Sequence, residues 1–298
     1  DVKKLDVEQL KVLAGEMRQA LIQKLSVHGG HVGPNLGMVE ATIAMHYVFD
    51  SPKDKMVFDV SHQSYCHKML TGRADEFLDE AKYDDVSGYS EPSESAHDFF
   101  CIGHTSTSVS LACGLAKARD LADENYNVIA VIGDGSLSGG EALEGLAKEL
   151  NGNLIVVVND NEMSIAENHG GLYENLKLLR DTKGQAECNL FKAMGLNYVF
   201  VEDGNDLEQL INAFKKVKDS KEPVAVHIHT LKGKGYALAE ENKESWHWHM
   251  PFHIETGETK GSFDGGEDYG TLTADYLLQK MKEDASVVAI TSATPTVF

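Results

Sequence analysis

The chain has 298 residues, of which 42% are hydrophobic, and this favours a globular fold of one large or two smaller domains. Its formal net charge of −20 argues against nucleic acid as a partner, because binding to that backbone depends on Lys and Arg neutralising phosphates. The sequence has no apolar run near the roughly 18 residues of a membrane helix and no signal-peptide layout, so we expect a cytoplasmic protein without a membrane partner.

The N-terminal part begins with helical patterns separated by a glycine-rich break. Apolar residues at helical spacing predict an amphipathic helix over 5–27, and a loop follows at 29–35. An apolar helix over 38–49 then leads to a short strand at 56–60. The polar, irregular segment 83–100 is predicted to be a surface loop.

The centre of the chain alternates between buried strand-like runs and helical segments. Continuous Val and Ile runs separated by helices are typical of a parallel sheet that is covered on both faces. The sequence therefore predicts an α/β fold with a doubly wound parallel sheet. The predicted strands are 127–132, 154–158, 198–201 and 224–229, and the predicted helices are 106–121, 139–150 and 206–217.

The last part of the sequence starts a new unit. Residues 1–260 are predicted to form one domain, and 261–298 a linker with the first helix (269–281) and strand (287–290) of a second α/β domain. Because that unit is incomplete, we expect the sequence to be a truncated, cleaved or split version of something longer.

The four cysteines lie far apart in the sequence. None belongs to a C-x-x-C pair, and their spacing is not that of a zinc site. They are predicted to be reduced and to serve mostly in packing, so neither disulfides nor zinc are expected.

Two polar turns follow neighbouring predicted strands. Residues 133–136 read G-D-G-S, and residues 159–163 read N-D-N-E-M. In open α/β sheets ligands bind beyond the carboxyl ends of the strands, so both turns face one crevice if their strands are adjacent. A helix beginning near Ser138 would direct its N-terminal amides there, which favours an anion.

The first turn differs from a dinucleotide-binding fingerprint. That pattern needs glycine at position 138, where this chain has serine, and has no use for the Asp134 carboxylate beside a diphosphate. A divalent cation between the two removes the repulsion, and Mg²⁺ prefers a few protein oxygens together with phosphate oxygens. The predicted ligands are the Asp134 carboxylate, the Asn161 amide oxygen and the Met163 backbone carbonyl.

Five segments carry a family resemblance: 30–31, 59–65, 67–72, 103–108 and 159–165. With them the sequence resembles the 1-deoxy-D-xylulose-5-phosphate synthase family of transketolase-like thiamine-diphosphate enzymes. Transketolase itself would be expected to carry a G-P-L-G-Q-G-like segment at 103–108. The resemblance covers nearly the whole chain and implies thiamine diphosphate and Mg²⁺ as cofactors, with residues 1–260 as the diphosphate-binding domain of a homodimer.

The resemblance also implies roles for individual residues. His31 and His62, together with His247 or His249, would be catalytic and line the substrate pocket, and we prefer His247. With thirteen histidines in the chain, most must be structural. The implied cofactor-binding residues are His62, Gly103, His104, Thr105, Gly135, Ser136, Asn161 and Tyr236.

The implied reaction condenses pyruvate with glyceraldehyde 3-phosphate to 1-deoxy-D-xylulose 5-phosphate, with loss of CO₂. In the family a glutamate of the pyrimidine-binding domain activates the cofactor, and that domain is missing here. We therefore expect the isolated chain to be inactive until the domain comes from the rest of a longer chain or from a partner. The alternatives are transketolase-like two-carbon transfer between sugar phosphates and a degenerate module, although the latter should have lost Asp134 or Asn161.

Some positions depart from the family pattern or have two interpretations. Ser61 stands where glycine is expected, residues 34–35 (P-N) replace a pair of small residues, and only residues 166–197 separate the asparagine turn from the next strand. These departures put the substrate preference in doubt, but not cofactor binding. Lys232 and Lys234 either contact a phosphate or are solvated, and Trp246 and Trp248 either pack in the core or form a pocket wall.

Overall fold

A five-stranded parallel sheet organises the protein, which we describe from a computed structural model covering residues 2–145, 152–261 and 268–290. The spatial order is β1-β2-β3-β5-β4, and all neighbouring strands are parallel. The doubly wound parallel sheet predicted from the sequence is thereby confirmed. The strands are β1 (Lys55–Phe58), β2 (Val128–Gly133), β3 (Ile155–Asp160), β4 (Asn197–Val201) and β5 (Val224–His229).

Helices connect the strands and cover the sheet. Short 3-10 helices lie at Val2–Lys4 and Glu80–Asp85. In the described ranges the α-helices are α1 (Val7–His28), α2 (Val32–Gly37), α3 (Val39–Val48), α4 (Tyr65–Leu70), α5 (Asp75–Leu78), α6 (Ser108–Leu121), α7 (Asp134–Leu137), α8 (Gly140–Gly145), α9 (Gly171–Asp181), α10 (Leu190–Ala193), α11 (Leu207–Val217), α12 (Ala237–Glu241) and α13 (Tyr269–Glu283).

Each face of the sheet has its own hydrophobic core. Successive side chains of a strand point to opposite faces. Ile129 and Val131 of β2 belong to the core that includes α1, α3 and α11, whereas Ala130 and Ile132 belong to the core that includes α6 and α9. Burial on both faces explains why the central strands are continuous apolar runs.

The structure corrects three predicted elements. The loop predicted at 29–35 ends early, because helix α2 begins at Val32. The helix predicted over 139–150 begins with α8 at Gly140–Gly145, but a separate helix that was not predicted, α7, precedes it directly after β2, and 146–150 lie outside the described residues. The strand predicted at 287–290 is wrong: these residues form no strand, and none of the described strands pairs with them. Helix α13 is present as predicted, and none of its residues is buried.

The segments that the sequence left unassigned also have structure. Residues 166–197, where no helix was predicted, contain α9 and α10. Segment 83–100 is irregular after its first turn, as predicted, but its Asp98 is buried. No helix in the described ranges is long and apolar enough to span a membrane. The predicted domain boundary at 260 stays a prediction.

The packing of α11 on α3 provides a test of the first core. Phe214 is fully buried, and its ring centroid lies 6.0 Å from that of Phe49. We expect Phe214→Ala to lower the free energy of unfolding by about 3–5 kcal/mol, because it leaves a cavity. Urea denaturation measures this, with Val12→Ala on the exposed face of α1 as the control. A loss below about 1 kcal/mol would contradict the packing described here.

Candidate active site

The two polar turns lie side by side at the carboxyl edge of the sheet. In the β2–β3 pairing Gly133 is opposite Asn159, so Asp134 and Asn161 each follow the end of an adjacent strand. Asp134 is 1% exposed and Asn161 is 8% exposed. The Asn161 amide oxygen accepts a hydrogen bond from the Met163 backbone N–H at 3.1 Å, which folds the second turn back on itself. All three predicted magnesium ligands therefore lie on these two turns.

The loop 162–168 folds tightly over the first turn. Asn168 donates a hydrogen bond to the Asp134 carboxylate at 3.0 Å and accepts one from the Ser164 hydroxyl at 2.5 Å. A Cβ atom at Gly135 would lie only 2.1 Å from the Ser164 Oγ, so glycine is required there. The contact keeps the backbone of residues 135 and 136 directly beneath this loop.

The pKa values of the two carboxylates at this edge are shifted in opposite directions. Burial, and then the neighbouring Asp160 carboxylate, raise the pKa of Asp134 well above its ordinary value. Burial acts the same way on Asp160, but hydrogen bonds from His227 at 2.7 Å and Arg180 at 2.5 Å hold its pKa below the ordinary value. Asp134 thus lacks the cationic partners that Asp160 has.

The donor set at this edge fits a hard divalent cation. A carboxylate, an amide oxygen and a backbone carbonyl are ligands typical of Mg²⁺, and such an ion would favour the ionised form of Asp134. Across the ranges described above, no cluster of three or more His, Cys, Asp or Glu side chains forms an alternative metal site.

The predicted cofactor loop is anchored at both ends. The buried Asp59 carboxylate accepts hydrogen bonds from the backbone N–H groups of Ser106 and Ser108, each at 2.8 Å, which fixes the entry to α6. The Ser106 hydroxyl donates to the Ser136 carbonyl at 2.6 Å and so joins this loop to the first turn. At the other end of the loop the Ile102 carbonyl accepts a hydrogen bond from the Ser61 hydroxyl. The residues between these anchors, Gly103, His104 and Thr105, are exposed at the same edge.

Ser61 occupies the position where the family pattern has glycine. Its backbone φ of +67° lies in the left-handed region that glycine adopts easily. The serine side chain forms two hydrogen bonds there: its hydroxyl donates to the Ile102 carbonyl at 2.9 Å and accepts from the Ser90 N–H at 2.8 Å. Serine at this position therefore links two loops that a glycine could not join.

Three histidines from distant parts of the sequence meet in one pocket. The ring centroid of His31 lies 4.8 Å from that of His62 and 5.5 Å from that of His247, and His62 and His247 are 5.5 Å apart. All three side chains are partly exposed. His249 instead stacks on Trp246 at 4.3 Å, outside this group.

The pocket holds its histidines in the neutral form. Burial and the neighbouring Lys232 lower the pKa of His31 to about 4 and that of His247 to about 3, and burial lowers the pKa of His62 well below its ordinary value. Among the described residues, the Nδ1 atoms of His62 and His247 are buried without a hydrogen-bond partner. Because unpaired buried polar atoms cost free energy, these nitrogens are candidates for bonding to a ligand.

Sequence reasoning missed the positioning role of Asn35. Its side-chain amide donates to the carbonyls of His31 at 2.8 Å and His62 at 2.7 Å, and its oxygen accepts from the Tyr65 N–H at 3.0 Å. Position 35 was noted only as a departure from the family pattern. An asparagine in a glycine-rich loop before a histidine motif was the available signal, but two of its three partners are 27 and 30 residues away.

Lys232, which had two interpretations, is buried at the site. Its Nζ donates to the Ser164 carbonyl at 2.7 Å, and the side chain is 1% exposed. Burial lowers its pKa to about 8, although the nearby Asp134 acts in the opposite direction. A solvated loop charge is therefore ruled out for Lys232.

The aromatic residues near the C-terminal side divide between core and surface. Trp246 is buried against Tyr236 and Phe252, whereas Trp248 is 49% exposed. The Tyr236 hydroxyl donates to the Ile254 carbonyl at 2.8 Å, so the observed contacts of Tyr236 lie in this aromatic cluster. A role for Tyr236 in closing the site stays a prediction.

Comparisons of the sequence with known proteins agree on one family. The chain matches the family described as 1-deoxy-D-xylulose-5-phosphate synthase over residues 1–187 and 177–230. A protein of that name from Listeria monocytogenes is 42% identical, over 99% of this chain and 50% of the relative. Another from Geobacter sulfurreducens is 42% identical, over 99% and 52%. This chain spans about half the length of the curated relatives it matches.

Solved structures with a similar fold are transketolases. The Campylobacter jejuni enzyme has a TM-score of 0.64 and 21% identity, over 82% of this chain and 41% of that one. A Pichia stipitis transketolase mutant in complex with xylulose 5-phosphate has a TM-score of 0.60 and 22% identity, over 78% and 37%. At such identities the likeness supports the fold alone.

The neutral histidines make the stability of the folded chain sensitive to acid. Because folding lowers their pKa values, the unfolded chain binds more protons below pH 6.5, and stability falls as the pH drops from there towards the folded pKa values. Each histidine should cost roughly 1 kcal/mol between pH 7 and pH 5.5. Urea unfolding of wild type and His62→Asn at both pH values measures this, and the variant should lose about 1 kcal/mol less than wild type.

Identical losses in wild type and His62→Asn would contradict this account of the pocket. The comparison removes the contribution of the other buried histidines, since both proteins retain His46 and His67, whose pKa values burial also lowers.

Proposed function

We propose that this chain, which belongs to the 1-deoxy-D-xylulose-5-phosphate synthase family, forms the diphosphate-binding half of a transferase that depends on thiamine diphosphate and Mg²⁺. The reaction condenses pyruvate with glyceraldehyde 3-phosphate and releases CO₂. The observation that carries the proposal is the placement of Asp134 and Asn161 at the ends of adjacent strands, beside a pocket of three neutral histidines.

The chain's own residues would hold the cofactor through the two turns. Asp134, Asn161 and the Met163 carbonyl would bind Mg²⁺, and the backbone amides of Gly135 and Ser136 would bind the diphosphate. Thiamine diphosphate, when bound, would supply the carbon nucleophile that the amino-acid side chains lack. His62, together with the exposed loop residues Gly103, His104 and Thr105, would line the cofactor, with Tyr236 closing the site.

Lys232 would balance the charge that a diphosphate brings. It is a buried cation bonded to Ser164, the residue that packs against Gly135, so it lies beside the first turn and can act on an anion bound there. Its ammonium is fixed by the Ser164 carbonyl at 2.7 Å, which restricts it to one position. The strongly negative net charge of the chain makes such a local cation necessary for anion binding.

The three histidines would transfer protons to and from the substrates. A neutral imidazole accepts a proton at one nitrogen and donates at the other, so His31, His62 and His247 can act as bases or hydrogen-bond donors at neutral pH. Asn35 holds the backbone of two of them, which keeps the rings at a fixed separation. A fixed separation lowers the entropy cost of reaching the reactive geometry.

Two-carbon transfer between sugar phosphates is the second candidate, supported by the likeness of the fold to transketolases. This chain corresponds to about half the length of its relatives. In either case the complete protein would supply the full substrate pocket, the glutamate that activates the cofactor and the homodimer. A degenerate module is disfavoured by the intact Asp134 and Asn161.

Cofactor binding provides the direct test. Calorimetry should detect magnesium-dependent binding of thiamine diphosphate, and Asp134→Ala should weaken it at least about 100-fold, because truncating one partner of a buried charge interaction costs several kcal/mol. Asp181→Ala, which removes an exposed carboxylate, is the matched control. Binding that is unaffected by Asp134→Ala would refute the assigned metal site. Lack of binding by wild type, even with the remaining domains supplied, would favour the degenerate module.

Substrate tests separate the two enzymatic candidates. We expect the isolated chain to form no product, and the chain completed with its pyrimidine-binding part to use pyruvate as donor and glyceraldehyde 3-phosphate as acceptor. Mass spectrometry of the product and CO₂ release measure this, with Asp134→Ala in the same mixture as the control. Turnover with a ketose phosphate but not with pyruvate would establish the second candidate, and product from the isolated chain would contradict the need for a second half.

A further inference from the structure

One further aromatic side chain belongs to the histidine pocket. The ring of Tyr89 packs edge-on against His31, with centroids 6.1 Å apart and an interplanar angle of 74°. Tyr89 is 40% exposed, so its ring lies between His31 and solvent and leaves part of its face open. The proposed chemistry described above gives this residue no role.

The backbone on both sides of Tyr89 is tied to other parts of the protein. The Ser87 N–H donates to the Glu94 carboxylate at 2.6 Å, the Ser90 N–H to the Ser61 hydroxyl at 2.8 Å, and the Glu91 N–H to the Asp98 carboxylate at 2.9 Å. An exposed loop rarely has three such side-chain acceptors within five residues. Tyr89 is thus displayed from a fixed loop and not from a freely moving one.

Two of these acceptors belong to a buried ion-pair network. Arg73 donates to both oxygens of Asp98, at 2.8 and 2.9 Å, and to Glu94 at 3.1 Å. Lys68 is fully buried and donates to Glu94 at 2.5 Å. Burial opposes ionisation of Asp98, but hydrogen bonds from His67 and Arg73 hold its pKa well below its usual range. Burying four charges is expensive, and their geometry fixes the loop in place.

Tyr65 lies beneath the loop that bears Tyr89 and sets the distance between that loop and His31. The Tyr65 hydroxyl accepts a hydrogen bond from the His31 backbone, and a Cβ atom at Gly88 would lie 3.3 Å from that hydroxyl. The loop bearing Tyr89 and the loop bearing His31 therefore rest on the same side chain. The gap between the two rings is set by the fold.

We propose that Tyr89 is a specificity-determining residue of the substrate pocket and contacts the uncharged, hydroxyl-bearing carbon chain of the aldehyde acceptor. This inference rests on the proposed function. A half-exposed phenol offers an apolar ring face and one neutral hydrogen-bond donor, which suits such a chain. Lys68 and Arg73, the cations beneath the loop, are already paired with Glu94 and Asp98, so this side of the pocket is poorly suited to the phosphate. The four charged residues act as positioning residues for Tyr89.

Kinetics of the completed enzyme test the contact. Tyr89→Phe should raise the KM for glyceraldehyde 3-phosphate about fivefold, as expected for one lost hydrogen bond, and leave kcat and the KM for pyruvate within about twofold. Tyr89→Ala should raise the same KM at least about tenfold, because the ring face is lost as well. With unphosphorylated glyceraldehyde as acceptor, the KM of each variant should rise by the same factor relative to wild type. Tyr276→Phe, on the exposed face of α13, is the matched control and should change nothing.

The positioning network is tested at Glu94. Glu94→Ala removes the acceptor for the Ser87 N–H and should reproduce the increase in aldehyde KM with little change in kcat. Glu94→Gln retains an acceptor oxygen and should restore at least half of the lost kcat/KM. A purely structural role would lower kcat and stability together and would give no such split between KM and kcat.

The outcomes separate this inference from the function on which it rests. Normal turnover by wild type with unchanged aldehyde KM in both Tyr89 variants overturns the role of Tyr89 alone. A penalty that disappears with unphosphorylated glyceraldehyde also overturns it, since the contact would then be with the phosphate. A completed wild-type enzyme that uses no 2-oxo acid with any aldehyde, and binds no thiamine diphosphate, overturns both proposals.

Chemical modification of His31 tests the same contact without measuring enzyme turnover. Diethyl pyrocarbonate acylates neutral imidazoles, and peptide mass spectrometry identifies the modified histidine. Glyceraldehyde 3-phosphate should slow acylation of His31 in the wild-type enzyme loaded with thiamine diphosphate and Mg²⁺, and this protection should fall at least about fivefold in Tyr89→Ala. Equal protection in wild type and variant would overturn the inference.

Discussion

In the parallel pairing of β2 with β3, Gly133 lies opposite Asn159, and this register determines where both polar turns begin. Side chains of both strands are buried on either face of the sheet, so a shift by one residue would exchange the two cores and is strongly disfavoured. The position of Asp134 relative to Asn161 is thus set by hydrophobic packing remote from any ligand. A rigid sheet edge can hold oxygen donors near a cation more accurately than a free loop can.

The sequence predicted what depends on local pattern. Strands β2 and β3 are short apolar runs ended by polar turns, and both were located to within two residues. The meeting of His31, His62 and His247 followed only from family resemblance, because no periodicity connects positions so far apart. Asn35 escaped notice for the same reason, since its function lies in hydrogen bonds to distant backbone.

The wrong predictions have physical causes as well. The strand expected at 287–290 has suitable residues, but a strand is stable only beside another strand that completes its hydrogen bonds. Helix α7 was not predicted, because the turn after β2 becomes helical immediately at Asp134, ahead of the predicted helix that begins with α8. Local apolar pattern cannot reveal either effect, since both depend on neighbouring segments. Segment 83–100 looked like an ordinary polar loop because its acidic residues are paired with Lys68 and Arg73 only in the folded chain.

The two carboxylates at the sheet edge, Asp160 and Asp134, differ in how their charge is compensated, and this difference bears on the proposed binding of metal and cofactor. The protein supplies Asp160 with two donors, His227 and Arg180, so its charge is compensated internally. Asp134 accepts hydrogen bonds from the Gly135 N–H and the Asn168 amide, and burial and Asp160 oppose its ionisation more strongly than the nearby Lys232 favours it. A cation that ionises Asp134 would still leave net positive charge beside the first turn, which a diphosphate can neutralise. If the chain binds the cofactor as proposed, these charges would favour binding of metal and diphosphate together over binding of either alone.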